Sequence, residues 1–280
     1  MRRGFHKYGR SLRFFAAALT ILFALILSGP AQPPIRPMRP PTRPTTRPVA
    51  TARPVATTGE FTFVRIVYDS PHSPYNFGFG GAWRVDFPEA DQHFMSGIRE
   101  WVGTNLRLSR GPLQLRPTDE KLFDYPLAYI VEPGHMELTD EDAAALREYL
   151  LRGGFLFLDD FHGEVEWQRA RKQIKKILPE YDIKDLPTSH PIFHSYFDLE
   201  GVVQVPGWAA LIHGVTYERD GVTPHYMGVE DKNGRLLIFM TRNCDLGDAW
   251  EWINDPRYPI TYGVVAYKVA INAVIYAMAH

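Results

Sequence analysis

Two adjacent carboxylates and an imidazole share one short stretch, GGFLFLDDFHGE at residues 153–164. Asp159, Asp160 and His162 directly follow the apolar run 155–158. Carboxylate oxygens beside a neutral imidazole can hold a divalent cation and activate its bound water. A carboxylate pair can also supply the acid and the base of glycoside hydrolysis. The same residues have a structural use: Asp159 as a helix cap or an acceptor for loop amides, Asp160 as the partner of Arg242 or another cation. Their spacing matches no diagnostic metal motif of the His-Glu-x-x-His kind.

Further polar groups follow other apolar runs. Asp69 and His72 come after 61–68, Glu132 and His135 after 127–131, and Arg242, Asn243 and Asp245 after 235–241. If the runs are parallel strands, these residues and the Asp159–Asp160–His162 group converge on the carboxyl rim of one sheet, the usual ligand site of such folds. His190 stands four residues before His194, but Pro191 favours a turning chain, so loop packing is the preferred reading over a metal pair. The stretch PYNFGFGGAWRVDFP (74–88) interleaves glycine with aromatics. Trp83 and its neighbours there could stack on a sugar or anchor a protein, or could simply cover the sheet.

The elements that must position these groups alternate. FTFVRIVY (61–68), LAYIV (127–131), FLFLD (155–159) and RLLIFMT (235–241) read as strands, LAYIV apolar throughout and FLFLD up to its last residue, as strands covered on both faces are. Between them, 88–105 places Phe94, Ile98, Trp101 and Val102 at helical spacing. Thr139 with Asp142 three residues on starts a helix that Gly153-Gly154 ends. The segment 164–178 is a second helix with Val165, Ile174, Ile177 and Leu178 turned inward. LIHGVTYE (211–218) and HYMGVED (225–231) are expected as paired strands, and Asn233-Gly234 as the turn into 235–241. The apolar segment 262–280 carries Lys268 and Asn272, which favours a core helix over a membrane span. The pattern predicts one α/β domain over 60–280, with a mostly parallel sheet.

Charge separates that domain from what precedes it. The 280 residues sum to a net charge of −1, but residues 1–59 hold ten Lys/Arg and no acid. Residues 60–280 hold 21 basic and 32 acidic side chains, so the two parts carry +10 and −11. An acidic domain excludes nucleic acid as the expected partner. Residues 1–31, a basic start and a 14-residue apolar run, read as a signal peptide or signal anchor. Residues 32–59, with Arg-Pro repeated five times, read as a disordered, extended linker. The expectation is an exported, extracytoplasmic domain close to a membrane, its partner an envelope protein or a carbohydrate. Cys244 is the single cysteine, which excludes an internal disulfide.

Several strings lie in a familiar order. They are Leu122-Phe123-Asp124-Tyr125-Pro126, then Leu146-Arg147 and Tyr149-Leu150 ahead of Gly153-Gly154-Phe155-Leu156 and Asp159-Asp160, then Leu186-Pro187 with His190-Pro191-Ile192-Phe193. Asn243, Asp245-Leu246-Gly247 and Ala249-Trp250 follow, and Asn272 with Tyr276-Ala277 closes the set. Over residues 60–280 the chain resembles the family called domain of unknown function 4159. That resemblance implies a three-layer sandwich of the flavodoxin-like, class I glutamine amidotransferase-like kind, and implies no activity. Amidotransferases place a nucleophilic Cys on the turn after a central strand. The turn here offers Asp160-Phe161-His162, which excludes glutaminase chemistry at that position.

No complete catalytic set emerges. The reading is therefore ligand or partner binding at the rim, with no cofactor expected and a divalent metal on Asp159, Asp160 and His162 as the variant. The rivals are a hydrolase of a carbohydrate or an amide, and a structural module of an envelope assembly.

Overall fold

The computed structural model describes residues 61–76, 80–103 and 106–280. The signal segment 1–31, the linker 32–59 and residues 77–79 of the aromatic loop lie outside the described residues.

Seven strands form one sheet. β1 (Val64–Ile66), β2 (Leu113–Leu115), β3 (Leu127–Val131), β4 (Phe155–Asp159), β5 (Ile183–Asp185), β6 (His225–Glu230) and β7 (Leu236–Arg242) lie in the order β2-β1-β3-β4-β7-β6-β5. The first five in that order run parallel, while β6 and β5 add on antiparallel. Every residue of β3 and β4 is buried, which explains their unbroken apolar runs. Alternate residues feed two cores. Leu127, Tyr129, Phe155 and Phe157 pack on one face with α1 (Glu89–Val102) and α6 (Ile260–Ala279). Ala128, Ile130, Leu156 and Leu158 pack on the other with α2 (Asp140–Leu151) and α3 (Gly163–Ile177). The result is an α/β/α sandwich. Each large apolar side chain removed from water contributes roughly 1.5–3 kcal/mol.

Local chemistry sets the element ends. Thr139 Oγ1 accepts from the Asp142 amide at 3.0 Å while Asp142 returns a bond to the Thr139 amide, so the capping box forms. Gly153 leaves α2 at φ 116, a conformation that a Cβ would strain. In α6, Asn272 is fully buried, yet it donates to the Ile192 and Phe197 carbonyls and accepts from the Tyr196 and Phe197 amides. By length and composition α6 could cross a bilayer, and 61% of that stretch is buried in the domain.

Two expectations are corrected. The segment 211–218 is no strand: Trp208–Ile212 is a short helix, α4, whose first amide bonds the Asp248 carboxylate at 2.6 Å. The edge of β6 is taken instead by β5, through Ile183↔Val229 and Asp185↔Met227. On α3 the inward stripe is Gly163, Glu166, Trp167, Ala170, Gln173, Ile174 and Ile177, with Val165 63% exposed. Glu166 therefore lies on the buried face of the helix.

Candidate functional site

Three neighbouring strands end in the same unusual way. The residue after β3 is Glu132 (φ 50), after β4 Asp160 (φ 59), and after β7 Asn243 (φ 63). A fourth left-handed residue, Asp86 (φ 62), reaches the same rim from the 81–87 loop. Non-glycine residues held in this region cost on the order of 1–3 kcal/mol each and gather at functional sites. The loop bearing Asp86 is tied down by Arg65, whose Nη1 donates to the Trp83 and Val85 carbonyls at 3.1 and 2.9 Å. The Arg65 Nε meets both Asp91 oxygens at 3.0 and 3.1 Å, making a fully buried ion pair.

Asp159 and Asp160, adjacent in sequence, have different surroundings. Asp159 accepts from Tyr129 Oη (2.9 Å), Thr241 Oγ1 (2.6 Å) and the amides of Leu246 and Gly247 (2.9 and 3.1 Å). Those amides open α5 (Leu246–Glu251), so Asp159 joins β3, β4, β7 and a helix N-terminus. Burial pushes its carboxyl up to about 6, the four bonds opposing. Asp160 lies 3.1 Å from His162 Nε2. Burial first, then the charges of Glu132 and Asp86, push it well above the carboxylate range. Burial holds His162 down at about 4, so its imidazole is neutral at pH 7.

Three groups of ligand atoms form among the described residues, one of them Asp86 with Asp248 and Glu251. Oxygens of Asp86, Asp160 and Asp245 lie within 4.8 Å of one another. Asp245 caps α5 through the Asp248 amide at 2.7 Å. Burial, followed by charge from Asp160 and Asp248, drives the Asp245 carboxyl far up, and burial with Asp248 does the same to Asp86. The third group is Glu132, His135 and Glu166, again with one atom each inside 4.8 Å. His135 Nε2 is 3.1 Å from Glu166 Oε1 and 3.7 Å from Glu132 Oε2. Gly134 permits this, since a Cβ there would stand 2.5 Å from the Glu166 Cβ. Glu166 Oε2 accepts from the His162 amide at 2.7 Å, and its Oε1 faces Arg219 at 2.5 Å. Burial and Glu166 raise Glu132 strongly, although the Tyr75 hydroxyl bonds it. Burial would raise Glu166 too, but His135, the His162 amide and Arg219 together outweigh it and hold it low.

The other candidates lie around this centre or away from it. Asn243 Oδ1 accepts from the Gly163 amide at 2.9 Å and its Nδ2 donates to the Thr223 carbonyl, which fixes the start of α3. Arg242 lies over the Trp167 ring and pairs with Glu164 at 3.0 Å, not with Asp160. Asp69 is exposed beside Arg116, and His72 is exposed near Glu137. Trp83 is half-buried against Phe87. His190 caps a short turn by accepting from the Ile192 amide and sits 3.4 Å from Glu230, apart from the rim. Cys244 is fully buried and burial raises its thiol strongly, so it offers no thiolate.

Asp86, Glu166, Arg219 and Asp248 were not among the sequence candidates. Glu166 could have been found, because it falls in register with Trp167, Ala170 and Ile174 on the buried stripe of α3. Asp86 and Arg219 sit on irregular loops far away in sequence, and no periodicity points to them.

An α/β sandwich with an acidic carboxyl rim defines the class. The chain belongs to the family described as domain of unknown function (DUF4159), whose model matches residues 62–278. No curated protein matches it by sequence.

Proposed function

We propose that the domain is a binding module that takes a positively charged ligand at the carboxyl rim of its sheet, in a protein whose N-terminal segment carries it out of the cytoplasm. One observation supports this reading above others. Asp86, Asp160 and Asp245 approach one another, as do Glu132 and Glu166 with His135, while Arg219 pairs with Glu166 and Arg65 is committed to Asp91. Of the five acids in these two groups, four are driven towards the protonated form, the first cause in each case being burial. A cation brought to such a site displaces those protons and relieves the mutual repulsion.

Thermal shift on the full chain in detergent tests it, with divalent ions, a polyamine, neutral sugars and acidic sugars as ligands. Cationic ligands alone are expected to raise the melting temperature, and Asp160→Asn or Asp245→Asn to weaken that rise. Stabilisation by neutral or acidic sugars alone would overturn the proposal.

The second reading is hydrolysis, favoured by the Asp160–His162 contact of 3.1 Å between an acid and a neutral imidazole. Turnover of a glycoside or amide that disappears in Asp160→Asn would establish it in place of the first.

A further inference from the structure

The Glu132–His135–Glu166 group differs from an ordinary acidic cluster in one respect. The three atoms that approach one another, Glu132 Oε2, His135 Nε2 and Glu166 Oε1, are all shut off from water, and none makes a well-aligned hydrogen bond, their contacts being ion pairs with one another and with Arg219. The side chains are only 4, 6 and 3% exposed. Buried polar atoms are nearly always satisfied, and leaving one unsatisfied costs about 1–3 kcal/mol. Three in one place, all turned towards a common centre, are therefore unusual. The contacts of Glu166 Oε1 with His135 and Arg219 are close enough for charge attraction but misaligned for hydrogen bonds.

The spacing suits a shared ion. Two ligands bonded at about 2.0–2.2 Å to one metal, at angles from octahedral to tetrahedral, stand roughly 2.9–3.5 Å apart. Of the observed separations from His135 Nε2, that of 3.1 Å to Glu166 falls within this range and that of 3.7 Å to Glu132 lies slightly beyond it. The chain brings the three together at a cost, holding Glu132 left-handed and requiring glycine at 134. His135 also borders a cleft of about 370 Å³ that Gly134, Glu137, Arg169 and Lys172 line.

We infer that Glu132 Oε2, His135 Nε2 and Glu166 Oε1 form a binding site for a divalent transition-metal ion of the zinc or manganese type. The inference rests on the cationic-ligand reading and names its ligand. One imidazole with two carboxylates favours such ions over calcium and magnesium, which prefer all-oxygen sets. Arg219 is the competing cation: it neutralises Glu166 from outside, with a side chain 46% exposed.

Equilibrium dialysis of the chelator-treated full chain against Zn²⁺, Mn²⁺, Mg²⁺ and Ca²⁺ tests this, with the bound ion measured by mass spectrometry. One Zn²⁺ or Mn²⁺ per chain is expected. Glu166→Gln and, independently, His135→Gln should weaken it by ~100-fold or more, as expected for losing a ligand outright. His190→Gln, apart from the rim, should retain it, and Arg219→Ala should bind more tightly, which a purely structural ion pair would not produce. Melting curves in chelator establish that each variant is folded. Zinc lost in Asp245→Asn but kept in Glu166→Gln would overturn the inference by placing the ion among Asp86, Asp160 and Asp245. Calcium or magnesium bound as well as zinc, and unaffected by His135→Gln, would overturn it too. No bound metal together with continued polyamine stabilisation would refute this site while leaving the cationic-ligand reading standing. Failure of both would end both.

Discussion

Asp159 and Glu166 are both buried carboxylates beside the carboxyl end of β4, and they differ in what surrounds their oxygens. Asp159 receives four hydrogen bonds, two from side chains and two from the amides that open α5. Glu166 receives one well-aligned bond on Oε2, while its Oε1 belongs to a set of three atoms with none. The first is a joint of the fold, the second a group poised for something else. Residue type and burial do not distinguish a structural acid from a functional one; the count of satisfied lone pairs does.

Breaking the joint should have the largest effect. Asp159→Ala leaves two amides and two hydroxyls without their acceptor, and is expected to lower stability by about 4 kcal/mol in urea denaturation. Next comes Gly134→Ala, whose new Cβ would press on Glu166 at 2.5 Å. It should cost about 2 kcal/mol and weaken metal binding as well, so calorimetry and dialysis should move together. Glu166→Gln sharpens the contrast: stability in chelator should stay within about 1 kcal/mol of the parent while zinc binding is lost. An Asp159-like collapse of Glu166→Gln would erase the distinction between the two acids.

Stability should also depend on pH. Raised carboxyl pKa values favour the folded state while the groups are protonated, and that advantage is lost as pH rises through them. Asp159, moved up to about 6, therefore contributes stability below about pH 4 that is lost by about pH 6 to 7, on the order of 3 kcal/mol. Asp86 and Asp245, also raised by burial, act in the same direction. In chelator the melting temperature should rise as pH falls from 8 to 5; a flat or opposite profile would contradict the burial-driven shifts.

The elements with local chemistry were legible in the sequence. The Thr139 capping box, Gly153 and the two apolar strands β3 and β4 all form as their residues demand. The three-residue strands β2 and β5 were missed because so short a run carries no period. LIHGVTYE misled because its β-branched and aromatic residues satisfy a helix end and a loop once β5 has occupied the edge of β6. The rim as a whole was legible, since Glu132, Asp160 and Asp245 follow recognisable strands. Its working geometry was not, for the inward face of α3 was read through Val165 and left Glu166 unconsidered, and Asp86 and Arg219 arrive on loops held by long-range contacts such as Arg65 with the Val85 carbonyl.

The most direct measurement is anomalous diffraction at the zinc edge from crystals of the zinc-loaded chain. A single peak about 2.0–2.2 Å from Glu132 Oε2, His135 Nε2 and Glu166 Oε1 is predicted. An empty position there, or a peak among Asp86, Asp160 and Asp245, would contradict the claim that Glu132, His135 and Glu166 are the metal-binding part of the rim.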